Sequence, residues 1–476
     1  MADSLPNRGG TTRNMTVGNP FRQILLFTVP VLLSQVFQQL YNTIDSLIVG
    51  RFLGTEALAA VSSSGTLIFL MVSFFMGTST GAGVVIARYF GAGDGQKTSD
   101  AIHTNVAINL IFGLVLSLTG VLFVPTFLVW MRTDPEVLPL AVSYFRCYFA
   151  GGIFLVMYNV LRGTLNALGD SRRPFYYLVV SSVLNVLLDL LFVAVFRWGV
   201  WSAAFATVLS QSLSVLLCLF HLCRKGHVYT LSVKKIRIHR DMFREIMKNG
   251  VPSGIQNSVI GFANVLVQSS INTFGKFAMA AYGSYVKIEG FAFLPINSFT
   301  LAITTFISQN LGAGEHKRAR TGARFGIICG VLSAETFGLL IWRFAPQLIS
   351  LFDSTPEVLS FGTKQARTVA LFYFLLAFSH CIAAVCRGAG KAFVPMLVML
   401  SVWCVFRIIY IELVMFYIGD IGLIYWAYPI TWTISSVIFA CYYLFSDWVH
   451  GFDRIPGKES VRGPSDGPSA EDTDNN

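Results

Sequence analysis

The chain has 476 residues, of which 54% are hydrophobic and only 13% charged, with mean hydropathy +0.62 and a net charge of +10. A soluble protein carries about 25% charged residues, so an ordinary cytosolic enzyme or soluble two-domain protein is excluded. At roughly 20 apolar residues per membrane-crossing helix, the apolar content bounds the number of spans at about a dozen.

The first 19 residues are polar and read as a disordered cytosolic N-terminus. Apolar windows bounded by charge, Gly and Pro then predict twelve helices, near 22–50, 55–87, 100–125, 137–161, 174–196, 199–222, 245–273, 279–310, 322–345, 366–386, 393–418 and 422–446. The expected fold is therefore an all-α integral membrane protein with twelve transmembrane helices. The organisation is an N-lobe at 20–222, a basic cytoplasmic linker at 223–243, a C-lobe at 244–446 and a disordered cytosolic tail at 447–476.

Lys and Arg gather in alternate loops. With the N-terminus inside, the inner loops hold nineteen (among them Arg88, Arg162, Lys225, Lys317 and Arg387) and the outer loops seven (Arg51, Arg132, Arg197, Lys276, Arg343, Lys364 and Arg367). The basic balance thus expresses membrane orientation, both termini cytoplasmic in the plasma membrane, and not nucleic-acid binding. The eight cysteines lie in or beside apolar segments without a C-x-x-C pair. Cys218, His221 and Cys223 lack a second ligand pair, so no metal is expected.

The chain repeats itself at an offset of 221 to 223 residues. FRQI at 21 matches FREI at 243, Pro30 matches Pro252, and FGAGD at 90 matches LGAGE at 311. PEVL recurs as a turn at 135 and 356, Gly169 and Pro174 match Gly390 and Pro395, and Gly199 with Ala204 matches Gly422 with Ala427. Six spans per copy is an even number, so the lobes are parallel repeats related by a pseudo-twofold axis along the membrane normal, as in alternating-access transporters. A complete duplication closes its own cleft, so a monomer is expected. No G-x-S-x-G, H-E-x-x-H, P-loop or paired-His pattern supports an enzyme.

A polar stripe, Gln35, Gln38, Asn42 and Asp45, follows one face of the first helix, and Ser253, Asn257, Asn264 and Gln268 repeat it in the second half. Such faces avoid lipid: they are either interhelical hydrogen-bond glue or the lining of a cavity. Asp45, Asn185, Asp189 and Thr207 fall in one depth band, roughly 9, 18, 12 and 15 Å from the outer loops at 1.5 Å per residue. Buried carboxylates need a proton, a metal cation or a basic partner, which points to H+ or Na+, with pairing to Arg146 as the structural alternative. In the second half Lys287, Glu289, Arg407, Glu412 and His380 are either a relay or a structural ion-pair set.

These residues resemble the multidrug and toxic compound extrusion (MATE) transporters, of prokaryotic type. The resemblance covers about 20–446 and rests on the spacing Pro30, Asp45, Gly50, on FGAGD and LGAGE, on ALGDSRRP at 167, CRGAGKAFVP at 386 and NVLLD at 185–189. It implies two six-helix lobes and export of drugs, often organic cations, driven by inward Na+ or H+ without other cofactors. It carries the ion site onto Asp45, Asn185, Asp189 and Thr207; the stretches around Ile260 and Leu376 lack the acids that some members place there. The substrate cavity is expected to use both polar stripes with the aromatics Phe37, Tyr41, Tyr158 and Phe291. The alternative is a lipid-linked precursor flippase of the same superfamily, whose members resemble it less, with about fourteen spans and a cationic central cavity.

Overall fold

The computed structural model describes residues 14–130, 133–224 and 229–450. The predicted loop charges Lys225 and Arg132, most of the N-terminal segment and the tail beyond 450 lie outside them. In the first half, α1 (Pro20–Leu53), α2 (Thr55–Gly91) and α3 (Gly95–Trp130) are unbroken rods. α4 (Leu138–Ala150) and α5 (Gly152–Ala167) form one rod bent by 49°. α6 (Arg172–Asp189) runs on into a π-helical turn, Leu190–Val195, and α7 (Trp201–Cys223) completes the set.

The second half repeats the order with α8 (Arg240–Asn272), α9 (Lys276–Gly312) and α10 (His316–Ser350). α11 (Pro356–Ala370) and α12 (Tyr373–Gly388) are again a pair, bent by 52°. α13 (Phe393–Met399) continues through a π-helical stretch, Leu400–Phe406, into α14 (Arg407–Tyr417), and α15 (Ile421–Phe445) ends the fold. The described residues thus form twelve rods in two sets of six. Eight of the rods are long and apolar enough to cross a membrane, ten with each bent pair taken as one span.

The shared glycine turns have a physical cause. Left-handed backbone, which favours glycine, occurs at Gly54 and Gly275, Gly93 and Gly314, and Gly169 and Gly390, each pair 221 apart. Beside Gly93 and Gly169 sit helix caps. Asp94 accepts from the Lys97 N–H (2.9 Å), and Asp170 accepts from the Arg172 and Arg173 N–H groups (3.2 Å each). FGAGD and ALGDSRRP are therefore turn-and-cap devices at the end where the chain begins, the basic end, and LGAGE and CRGAGKAFVP repeat the glycine turn there.

At this end the halves are pressed together. A Cβ at Gly77 would lie 2.1 Å from the Gly254 nitrogen, and one at Gly81 2.2 Å from that of Gly250, so α2 and α8 touch backbone to backbone. The Gln309 side chain is buried in the seam: its oxygen accepts from the Met15 N–H (3.0 Å) and its amide donates to the Ala167 carbonyl (2.8 Å). Arg318 donates to the Met15 and Val17 carbonyls, and Tyr89 on α2 donates to Glu245 on α8 (2.8 Å).

Several expectations are corrected. Residues 14–19 are not disordered, because Met15 is buried between the halves. Nor is the start of the tail: Trp448 and Val449 are buried, and Lys391 holds the Asp447 carbonyl at 2.7 Å. The C-lobe begins at Arg240, and the tenth predicted helix starts ten residues early, at Pro356, where the second PEVL opens a helix instead of forming a turn. Gly199 finds its equivalent in Gly419, not Gly422: both are left-handed, and Gly422 already lies within α15. Arg162 is not in a loop but inside α5, where it donates to the Gln38 oxygen at 3.4 Å.

Candidate ion and substrate sites

In the N-lobe, α1, α6 and α7 bring four predicted residues together. Asp45 (7% exposed), Asn185 (0%), Asp189 (0%) and Thr207 (6%) are all withdrawn from the surface. The carboxyls of Asp45 and Asp189 are hydrogen-bonding neighbours. With the Asn185 amide oriented to satisfy both its ends, its nitrogen donates to Asp189 Oδ2 (2.9 Å) and its oxygen accepts from the Thr207 N–H (3.2 Å). Tyr41 donates to the Thr207 hydroxyl (3.4 Å), which donates to the Ala203 carbonyl (3.1 Å). Asp45 Oδ1 and Asp189 Oδ1 keep no partner.

Among the described residues neither acid has a basic ion-pair partner. Arg146, the structural alternative, is exposed on α4 beside Trp201 and does not approach them. Two acids in contact inside a low-dielectric lobe cannot both stay charged unless a cation lies between them. The arrangement is thus able to take up a proton or a small cation through oxygen donors. Sequence reasoning missed Tyr144 and Tyr148 on α4, one turn apart and stacked at 6.2 Å, which feel the charge of Asp45. Their spacing of four on one helical face was the available signal.

Asp189 is the last residue of α6 before its π-helical turn. In the matching rod of the C-lobe a π-helical stretch ends directly before Arg407. π-Helical turns inside helices collect at functional sites, and here each lobe sets an ionisable side chain at one.

Arg407 faces a chamber of about 330 Å³ that Asn264 and Gln268 of α8, Glu289 of α9 and His380 of α12 also line. Tyr285 donates to Glu289 at 3.1 Å. His380 is set edge-on to Phe293 and Trp403. Lys287 and Glu412 do not join them. Lys287, two residues from Glu289, points to the opposite face and lies over Phe352 at 5.3 Å, and Glu412 is exposed.

The remaining stripe residues divide. Gln35 bridges the lobes to the Ser298 hydroxyl at 2.9 Å, Asn42 is exposed and Asn257 half-buried. Phe37 meets Phe175 edge-to-face at 5.7 Å, and Phe291 is 42% exposed. Tyr158 is 1% exposed and packs in the N-lobe core.

A duplicated membrane bundle with a buried polar cluster in one lobe and a polar chamber in the other has the architecture of a transporter. The MatE family model matches residues 30–191 and 252–411, one copy in each lobe. The chain belongs to the MatE family of multidrug and toxic compound extrusion transporters. It is 29% identical to a probable multidrug resistance protein of Bacillus subtilis, over 91% of this chain and 96% of the relative. It is 23% identical to a FAD transporter of Shewanella oneidensis, over 91% of this chain and 96% of that protein. Its fold matches a solved multidrug resistance MATE transporter in an outward-facing conformation, with TM-score 0.83, 23% identity and coverage of 90% of this chain and 97% of that one.

Proposed function

We propose that the chain is a secondary antiporter of the cell membrane, exporting amphipathic, cationic drugs or toxins in exchange for Na+ or H+. The observation that carries this reading is the contact between Asp45 and Asp189 without a basic partner. It supplies one binding position for a cation whose arrival and departure change the lobe's charge.

The basic residues gathered at the closed end, among them Arg88, Arg318 and Lys391, support a cytosolic placement of that end. In the opposite state the drug enters from the cytosol or inner leaflet and lies against the polar stripe of α1. After the switch, Na+ or H+ reaches Asp45 and Asp189 from outside, ties α1, α6 and α7 together and expels the drug. The coupling is reciprocal, so bound drug weakens ion affinity by the same factor.

The test is reconstitution in liposomes with a fluorescent cationic dye, imposing a Na+ gradient and a pH gradient separately, for the wild type and Asp189→Asn. Dye movement under one gradient, lost in the variant, supports antiport and names the ion. No movement under either gradient ends the proposal.

A further inference from the structure

The C-lobe chamber holds two opposite charges that do not meet. Arg407 is 1% exposed, and its Nε and Nη2 both donate to one hydroxyl, that of Thr431, at 3.2 and 2.7 Å. Among the described residues it makes no ion pair, and Nη1 has no acceptor. Its guanidinium carbon lies over the rings of Tyr428 (4.7 Å) and Trp403 (5.3 Å), which hold it without neutralising it. Trp432 Nε1, buried in the same wall, is a second donor without an acceptor. Across the chamber Glu289 has a hydrogen bond from Tyr285 alone.

A buried guanidinium without a carboxylate is costly, and removing one partner of a buried pair is more so. A protein seeking only stability would close Arg407 onto Glu289; here the arginine, directly after a π-helical stretch, donates to Thr431 instead. About 330 Å³ suits a small organic molecule. Aromatic walls suit a flat body, and the planar fork of arginine suits a carboxylate.

We propose that this chamber binds a zwitterionic small molecule with an aromatic body, its carboxylate on Arg407 and Trp432 and its ammonium on Glu289. The proposal deepens the export reading by adding a substrate class and a second binding position. Binding is measured without transport, so the two stand or fall separately.

The experiment uses the full chain in lipid nanodiscs, with empty discs as background, and three fluorescent probes. Nε-dansyl-lysine carries both charges, dansylcadaverine only the ammonium, and 6-(dansylamino)hexanoate only the carboxylate. The expected result is at least tenfold tighter binding of dansyl-lysine than of either other probe. Arg407→Gln and Arg407→Lys, the second keeping the charge but losing the fork, both erase its advantage over dansylcadaverine. Glu289→Gln erases its advantage over the hexanoate, and Arg146→Gln, an exposed position on α4, changes neither. Should Arg407→Gln fail to fold, as judged by size exclusion, Arg407→Lys decides. Equal binding of dansyl-lysine and dansylcadaverine to the wild type overturns the proposal, as does an advantage that survives Arg407→Lys or disappears in Arg146→Gln.

Discussion

Gly91 at the end of α2 and Gly312 at the end of α9 are equivalent positions of the duplication, and each lies against the other's helix. A Cβ at Gly91 would sit 2.0 Å from the Gln309 carbonyl oxygen, and one at Gly312 would sit 2.0 Å from that of Arg88. Arg88 and Gln309 are themselves 221 apart, so the contact is symmetric and the pseudo-twofold axis passes through it. The two helices approach this closely because neither crossing point carries a side chain.

Gly91→Val or Gly312→Val therefore opposes the closed state directly. Overpacking of about 1–3 kcal/mol shifts the open-to-closed ratio by roughly 5- to 150-fold. On a background lacking the eight native cysteines, a cysteine at Ala167, 2% exposed and beside Gln309 in the seam, should react with a water-soluble maleimide correspondingly faster in the variant. An unchanged labelling rate would show that the glycine contact does not hold the gate.

Gln309→Leu keeps the volume of the seam but strands the Met15 N–H and the Ala167 carbonyl. Each buried orphan costs about 1–3 kcal/mol. Hydrogen exchange at residues 15–18 should quicken while exchange in the α3 core stays as in the wild type; protection at Met15 equal to the wild type refutes the staple.

Asp45→Asn and Asp189→Asn should each abolish ion-driven dye flux, and the double variant should do no further harm, because the two carboxyls act as one unit. Both single variants should also melt no lower than the wild type in detergent, since relieving two buried acids in contact removes a cost. A large drop in melting temperature would mean that the acids serve to hold the lobe together.

Arg146→Gln tests the structural alternative. Its exposed position on α4 predicts that flux and its ion dependence stay at wild-type levels. Loss of coupling in this variant would make Arg146 the counter-charge of the acids.

The duplication was legible because it is written in turn glycines, whose left-handed backbone tolerates little else, and those positions recur at Gly93 and Gly314 or Gly169 and Gly390. The N-lobe cluster was legible because acids and amides stand out in apolar helices, and depth along a rod follows from counting residues. The bends between Ala150 and Gly152 and between Ala370 and Tyr373 were not legible, since an apolar run looks the same on either side of a bend. The contact of Arg407 with Thr431 on α15 was not legible either, because which helices face each other is not written in the spacing along one of them.

The π-helical turn after Asp189 has a mechanical consequence. A helix carrying one surplus residue holds a dislocation, and a dislocation can travel along a rod without breaking it. Each step turns the side chain it passes by about 100°, so Leu190–Val195 can swivel around a fixed Asp189, or Asp189 around a fixed outer end. Occupancy at one carboxyl thereby becomes rotation of a whole segment, at the cost of exchanging one hydrogen-bond register for its neighbour.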